Sequence, residues 1–246
     1  MRIAVLNDIH GNFPALQAVL DELPSAGVDR IVVGGDVFPG PMAHLALRAL
    51  ADCRIPVDYL YGNGEVALLE HLAGKIPARL PEAYRPIVRW NAEQLGPGDR
   101  EAIATWPMTL RVTVPSIGDV LFCHATPRDE NEIFTVRTVD DRLTAVFDAA
   151  HAPLVVCGHT HLVMDRAIGR TRVVNPGSVG MPFGPAGADW LIVGPGITFR
   201  HTDYDLAAAA ERIRASGYPA ADEFAARCVL HPPSADEMLA VYHSRD

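Results

Sequence analysis

Residues 59 to 70 read YLYGNGEVALLE, and whether the chain doubles back there or runs on into a helix decides the fold. Asn-Gly between apolar residues is the strongest short-range signal for a β-hairpin, which would make Asn63 a plain turn residue. The segment that follows does not alternate. Val66, Leu69 and Leu72 recur at threes with Leu68 filling in, and Glu, Ala and Leu are good helix formers. The reading is strand, Gly62-Asn63-Gly64-Glu65, helix. It leaves an Asn between two glycines at the exit of a strand.

The same event occurs twice upstream. RIAVLN (2 to 7) is an apolar, β-rich run, followed by DIHGN and a helical pattern with Phe13, Leu16, Val19, Leu20 and Leu23 on one face. RIVVGG (30 to 35) leads to Asp36, a Pro/Gly loop and a helix carrying Leu45, Leu47 and Leu50. VDYLY (57 to 61) is the third such run. Strand alternating with helix predicts a largely parallel sheet with helices on its faces. From about 84 to 106 the pattern is helical, interrupted at Gly96-Pro97-Gly98.

The second half is richer in strands. LRVTV (110 to 114) and DVLFCH (119 to 124) read as antiparallel neighbours around Ser116-Ile117-Gly118. A helix is expected over 142 to 150, then strands over 153 to 158, 171 to 175, 189 to 194 and 197 to 201. An Ala-rich helix covers Leu206 to Ser216, and the last residues read as a short helix or a tail. With no linker or repeat in view, the expectation is one domain over 1–246 with two sheets. A helical insertion would span about 64–108, and a C-terminal helix and tail about 205–246.

Composition narrows the function. A net charge of −9 and a pI near 5.5 argue against bulk binding to nucleic acid or anionic membrane, which calls for basic patches. No run approaches eighteen uninterrupted apolar residues, and MRIAVLNDIHG is no signal peptide, so nothing is expected in a membrane. Cys53, Cys123, Cys157 and Cys228 lie far apart, form no CxxC pair and sit in or beside apolar runs. They read as buried free thiols of a reduced, cytoplasmic protein.

What stands at the strand ends carries the chemistry. Asp8 and His10 follow the first run, Asp36 the second, Asn63 the third, and later strands end in His124 and in His159-Thr160-His161. In open α/β sheets ligands bind at the carboxyl ends of the strands. Every one of these ends offers a carboxylate, an imidazole or an amide, the side chains that bind divalent metals. Each has an ordinary explanation alone, as a cap, a turn or a core histidine. All of them in this order would require five coincidences.

In this set the chain resembles the calcineurin-like metallophosphoesterases over essentially its full length. Their signature, D-x-H, G-D, G-N-H-[DE], H and G-H-x-H, stands here as Asp8-Ile9-His10, Gly35-Asp36, Gly62-Asn63-Gly64-Glu65, His124 and Gly158-His159-Thr160-His161. The loop Asn175-Pro176-Gly177-Ser178-Val179-Gly180 is similar to the smaller bacterial and archaeal branch, that of the YfcE-type phosphodiesterases. The resemblance implies an α/β fold, a four-layer α/β/β/α sandwich of two mixed sheets with the metal site at the strand C-terminal ends. It also implies a two-metal centre, with Asp8, His10 and His161 on one ion, Asn63, His124 and His159 on the other, and Asp36 bridging. The implied chemistry is hydrolysis of phosphodiester, phosphomonoester or phosphoanhydride bonds by a hydroxide shared between the ions. The N/O ligand set suits Mn, Fe, Zn, Ni or Co better than Ca. The expected partner is a small phosphorylated substrate, with nucleotides among the options.

Asn12 and Arg128 are the candidates for phosphate contact, with a helix N-cap and a surface salt bridge as their alternatives. The chain departs from the family at one place. Gly64 occupies the position of the family's catalytic His, and glycine can neither protonate nor stabilise a leaving oxygen. Substrates with good leaving groups should therefore be favoured, Gly64→His should speed alkyl esters, and His44 or His71 could substitute for the missing acid. The alternative to an enzyme is a metal-binding interaction scaffold of the same fold, although scaffolds of this fold typically lose ligands and this chain keeps all seven.

Overall fold

Ile3 and Val5 face one way from the first strand and Ala4 and Leu6 the other, yet all four are buried. A strand buried on both faces needs a layer on each side, and that requirement shapes the molecule. The computed structural model describes residues 1–77 and 79–243. In chain order, β1 (Ile3–Leu6), α1 (Phe13–Ala26), β2 (Arg30–Val33), α2 (Ala43–Ala51) and β3 (Val57–Tyr59) make the strand–helix alternation. Then come α3 (Asn63–Leu72), a 3₁₀ turn (Glu82–Tyr84), α4 (Arg85–Glu93) and α5 (Pro97–Ile103). The second half holds β4 (Thr109–Val114), β5 (Gly118–Cys123), α6 (Asp140–Asp148), β6 (Leu154–Val156), β7 (Met164–Ile168), β8 (Thr171–Asn175), β9 (Ala188–Val193) and β10 (Ile197–Thr202). The chain closes with α7 (Leu206–Arg214), α8 (Ala221–Phe224) running into a wide π turn (Ala225–Leu230), and α9 (Ala235–His243).

The ten strands form two mixed sheets, β10-β9-β1-β2-β3 and β4-β5-β6-β8-β7. The neighbours β1/β2, β2/β3, β5/β6 and β6/β8 are parallel, and β4/β5, β7/β8, β1/β9 and β9/β10 antiparallel. Ile3, Val5, Val32, Val120, Phe122, Val156 and Leu191 fill the space between the sheets. Leu6, Val33 and Trp190 on the outer face of the first sheet meet Leu16, Val19 and Leu47 of α1 and α2. Leu121, Val155 and Val173 on the outer face of the second meet Leu143 and Phe147 of α6. The layers are α/β/β/α, as the resemblance implied. At about 1.5–3 kcal/mol for each fully buried large apolar side chain, the inter-sheet layer holds the strand ends in register.

Two elements have no counterpart in the sequence reading. The strand β7 alternates buried Met164 and Ile168 with exposed Asp165 and Ala167, so no apolar run marks it, and it is an edge strand. The segment 221–230 packs Phe224, Ala225 and Val229 into a fourth cluster with α7 and Met42. All four cysteines are free, but only Cys123 and Cys157 are buried, since Cys53 and Cys228 lie at the edges of their clusters. Among the described residues, no helix is long and apolar enough to cross a membrane.

Candidate metal centre

The loops leaving β1 and β2 run side by side. The amides of Asp8, His10 and Gly11 donate to the carbonyls of Gly35, Asp36 and Val37 at 2.9–3.1 Å, which zips Asp8 and His10 against Asp36. The loop after β5 is tied to the loop after β6 by Gly158 N–H, which donates to His124 O at 2.6 Å. His159 N–H donates to Asp8 Oδ2 at 3.0 Å, so the loop after β6 is pinned to the loop after β1. These links bring Asp8, His10, Asp36, His124, His159 and His161 together, and Asn63 Oδ1, 3.1 Å from His124 Nε2, joins them.

The backbone there is strained. Among the described residues, six that are not glycine have positive φ, and five of them are Asp8, His10, Asp36, His159 and His161. Such conformations cost about 1–3 kcal/mol each and persist where surrounding structure enforces them, commonly at functional sites. The sixth, His151, lies outside this group.

The imidazoles are oriented by backbone carbonyls. Nδ1 of His10 donates to Pro39 O at 3.2 Å, Nδ1 of His124 to Gly34 O at 2.9 Å, and Nδ1 of His161 to Met181 O at 2.9 Å. Nε2 is therefore the nitrogen turned to the centre in each, an outer-shell arrangement that presents imidazole lone pairs to a metal. His10 Nε2 and His161 Nε2 stand 3.2 Å apart, and only something positive can sit between two such lone pairs. His159 Nε2 is buried without any hydrogen-bond partner. A buried orphan of this kind needs an explanation, and a cation beside it is one.

The carboxylates converge on the same point. Asp36 places Oδ2 3.6 Å from His10 Nε2 and Oδ1 3.6 Å from His124 Nε2. Asp8 Oδ1 lies 3.5 Å from His161 Nε2 and 3.9 Å from His124 Nε2. Asn63 Oδ1 is 3.1 Å from His124 Nε2, whose ring centroid is 5.2 Å from that of His159. Two overlapping groups, Asp8/His10/His161 and Asp8/Asp36/His124, have ligand atoms within 4.8 Å of one another. Asp8 thus reaches both groups, where the resemblance had set it on one.

Burial and crowding show in the protonation equilibria. Burial, together with the charge of Asp8, raises Asp36 to about 8. Burial would raise Asp8 too, but the imidazoles of His161, His124 and His10 bring it down to about 2. Burial depresses His10 and His159 to about 3, so both are neutral imidazoles at neutral pH. A site with neutral imidazoles and carboxylates crowded enough to hold a proton is one that a divalent cation would relieve.

The structure revises the expectation at Gly64. A Cβ placed there would overlap the Phe38 carbonyl oxygen and stand 2.9 Å from its carbon and 3.0 Å from Asp36 Oδ1. No imidazole can be grafted onto that spot without moving backbone. The Gly64 amide instead donates to Asp36 Oδ1 at 2.8 Å. Of the two stand-ins, His71 lines a cavity of about 350 Å³ between α3 and α4 whose described walls include none of the seven candidates.

Glu65, to which the sequence reading gave no role, is fully buried. Its Oε2 accepts the amides of Asp36 (2.8 Å) and Gly62 (2.7 Å), and its Oε1 that of Phe38 (3.0 Å). One carboxylate thereby fastens the loop carrying Asp36 to the helix start carrying Asn63. Burial, then the charge of Asp36, raises it to about 7. A Glu at the third position of a helix reaching back to the residue before its start is a capping pattern, and that signal was available.

Asn12 is the N-cap of α1, with Oδ1 accepting from Ala15 N at 3.3 Å. Its amide donates to Gly180 O at 2.9 Å and Tyr204 Oη at 3.1 Å, so its hydrogens are engaged within the fold. Arg128 pairs through two nitrogens with Glu132 at the rim. Sequence reasoning also passed over Phe183, whose ring stacks on His161 at 5.3 Å, because nothing local marks a loop residue that packs on a histidine twenty-two positions back.

Residues 1–193 match the model of the calcineurin-like phosphoesterase superfamily domain, and the chain belongs to that superfamily. Its fold is similar to that of the hypothetical protein PH1004 from Pyrococcus horikoshii OT3, with a TM-score of 0.77, 19% identity, and coverage of 95% of this chain and 99% of that one. It is also similar to a metallophosphoesterase from Sphaerobacter thermophilus, with a TM-score of 0.71, 22% identity, and coverage of 93% and 98%. The uncharacterized protein MJ0912 of Methanocaldococcus jannaschii is 26% identical over 201 residues, 73% of this chain and 76% of that protein.

Proposed function

We propose that this chain is a metal-dependent phosphoric ester hydrolase with a two-metal centre, taking divalent transition-metal ions such as Mn, Fe, Zn, Ni or Co. The observation that carries the reading is the posture of Asp36, whose two oxygens each face a different imidazole at 3.6 Å. Asp8, His10 and His161 would hold one ion, Asn63, His124 and His159 the other, and Asp36 would reach both. Bound there, divalent cations supply the Lewis acidity that polarises a phosphoryl group and makes water acidic at neutral pH.

The chain's own part is to hold and orient. Backbone carbonyls fix the imidazole tautomers, and the Gly64 amide and Glu65 fix the loop that carries Asp36. With Phe38 backbone against Gly64, the chain offers no imidazole from that position to a leaving oxygen. A substrate whose leaving group departs unprotonated suits such a site.

The test is turnover of bis(p-nitrophenyl) phosphate and p-nitrophenyl phosphate by the purified protein loaded with Mn. Hydrolysis abolished by EDTA and restored by Mn supports the reading. Full metal content, an intact fold and no turnover of any phosphate ester would replace it with the scaffold alternative.

A further inference from the structure

Two residues past His124 the chain forms a small loop, closed by Thr126 N–H donating to Asp129 O at 3.1 Å. It walls a cavity of about 420 Å³ whose lining includes Arg79, Arg128 and Arg142 together with Asp129 and Glu132. Arg79 arrives from the far side, from the segment after α3, and grips Asp129 through two bonds of 2.7 Å. The loop starts two residues after His124, whose Nε2 lies 3.1 Å from Asn63 Oδ1, so the cavity adjoins the Asn63/His124 side of the centre. Gly64, beside Asn63, is on that side too.

We propose that this cavity is a second anion subsite and that the substrates are phosphoanhydrides, with the scissile phosphoryl at the metal centre and the leaving phosphate held by Arg79, Arg128 and Arg142. The inference rests on the function proposed above and adds the substrate class. Guanidinium groups match phosphate oxygens two at a time. Those of Arg79 and Arg128 are now matched to carboxylates, Asp129 with Glu130 at 3.5 Å, and Glu132, while Arg142 lies 4.0 Å from Glu132. The side chains of Arg79 and Arg128 are 58% and 55% exposed, against 29% and 10% for Asp129 and Glu132, so an anion arriving from solvent meets the guanidinium groups first. A phosphate bearing close to two charges can take them over, and the carboxylates hold the arginines in place until it does.

The same leaving group meets the constraint at Gly64. Water adds to the scissile phosphorus, the bond to the bridging oxygen breaks, and that oxygen keeps the electron pair as part of the departing phosphate. The water's proton passes to solvent. A phosphate with a second pKa of about 6 needs no proton in order to leave at neutral pH. One substrate class thus answers both the missing acid and the arginine-lined wall.

The experiment compares kcat/KM for ADP and for bis(p-nitrophenyl) phosphate in the Mn-loaded full-length protein. Arg79→Ala and Arg128→Ala should lower the ADP-to-ester ratio at least tenfold, mainly through KM, with Arg79→Lys in between. Glu132→Gln should raise the ratio, because it removes a carboxylate that competes for Arg128. A purely structural role for these pairs predicts that all the variants move both substrates alike, and that result, or a lower ratio in Glu132→Gln, overturns the proposal. If the wild type turns over neither substrate, the functional reading has failed, and titration of inorganic pyrophosphate into the EDTA-stripped protein still decides the subsite. Binding weakened by Arg79→Ala and tightened by Glu132→Gln sustains it, and no binding ends it.

Discussion

The carbonyl carbon of Phe38 stands 2.9 Å from the point where a side chain at Gly64 would begin, and its oxygen is nearer still. The loop after β2 can lie against the start of α3 only because residue 64 has no side chain. Gly64→Ala is therefore expected to cost about 1–3 kcal/mol or more, the usual range for overpacking. Gly64→His should cost at least as much and should not accelerate alkyl phosphate esters. Thermal melts with metal analysis and ester kinetics check this. A well-folded, metal-replete Gly64→His that is faster on alkyl esters would show that the loop yields.

The pairing of His10 with His161 and of His124 with His159 predicts two ions per chain. His161→Ala and His159→Ala should each reduce the Mn content from two towards one, measured by elemental analysis on folded protein. Loss of both ions from either single variant would contradict separate sites.

Asp36→Asn should do more harm than either histidine variant, because Asp36 faces both imidazole groups and an amide lacks its charge. Removing an outer-shell partner of a metal ligand already costs about 10–100-fold in affinity or activity, and this change should exceed that range. Competition with a chromophoric chelator gives the affinity. A variant binding both ions within tenfold of wild type would remove Asp36 from the bridging role.

Glu65→Gln keeps the shape but turns an NH₂ towards at least one of the amides of Asp36, Phe38 and Gly62. The expected cost is about 1–3 kcal/mol for a buried donor left unpaired. Metal affinity should fall with it, since the loops bearing Asp36 and Asn63 lose their common anchor. A variant as stable as wild type with unchanged Mn affinity would leave Glu65 without this role.

The stripped protein should respond to pH in a defined direction. Asp36 at about 8 and Glu65 at about 7 hold protons more tightly folded than unfolded, where their values are near 3.8 and 4.5. The stability this gives is present at low pH and is lost as pH rises towards about 8. His10 and His159, lowered from 6.5 to about 3, have the opposite effect, but that effect is complete above 6.5. Between pH 6.5 and about 8 the stability of EDTA-treated protein should therefore fall by at most about 1.4 kcal/mol per pH unit per group, and its melting temperature with it. Added Mn should flatten or reverse the trend, because its binding displaces those protons. A flat or rising curve without metal would contradict the crowded-carboxylate description.

Much of this was legible in single stretches of sequence. RIAVL, RIVV and PLVVC are apolar enough to be buried on both faces wherever they lie, and a strand buried twice implies a layered α/β fold. Asp8, His10, Asp36, Asn63, His124, His159 and His161 could be named because each follows such a run directly, so the chain's own periodicity sets its place at a strand end. The edge strand β7 escaped because Met164 and Ile168 alone are buried in it, leaving no pattern to read. Arg128 and Asn12 were legible as residue types but not as partners. Glu132 and Tyr204 claim them, the second from 192 residues away.

The sequence alone thus determined the strand–helix order and the strand-end chemistry, because these depend on local apolar runs and the residues that follow them, while the family and the four layers came from the resemblance those motifs carry. Only the tertiary structure decided what lies against Gly64, which amides Glu65 collects, and which carboxylate Arg79 grips. Each of those is a meeting of loops from separate strands, at distances set by how two sheets pack rather than by any neighbour in the chain.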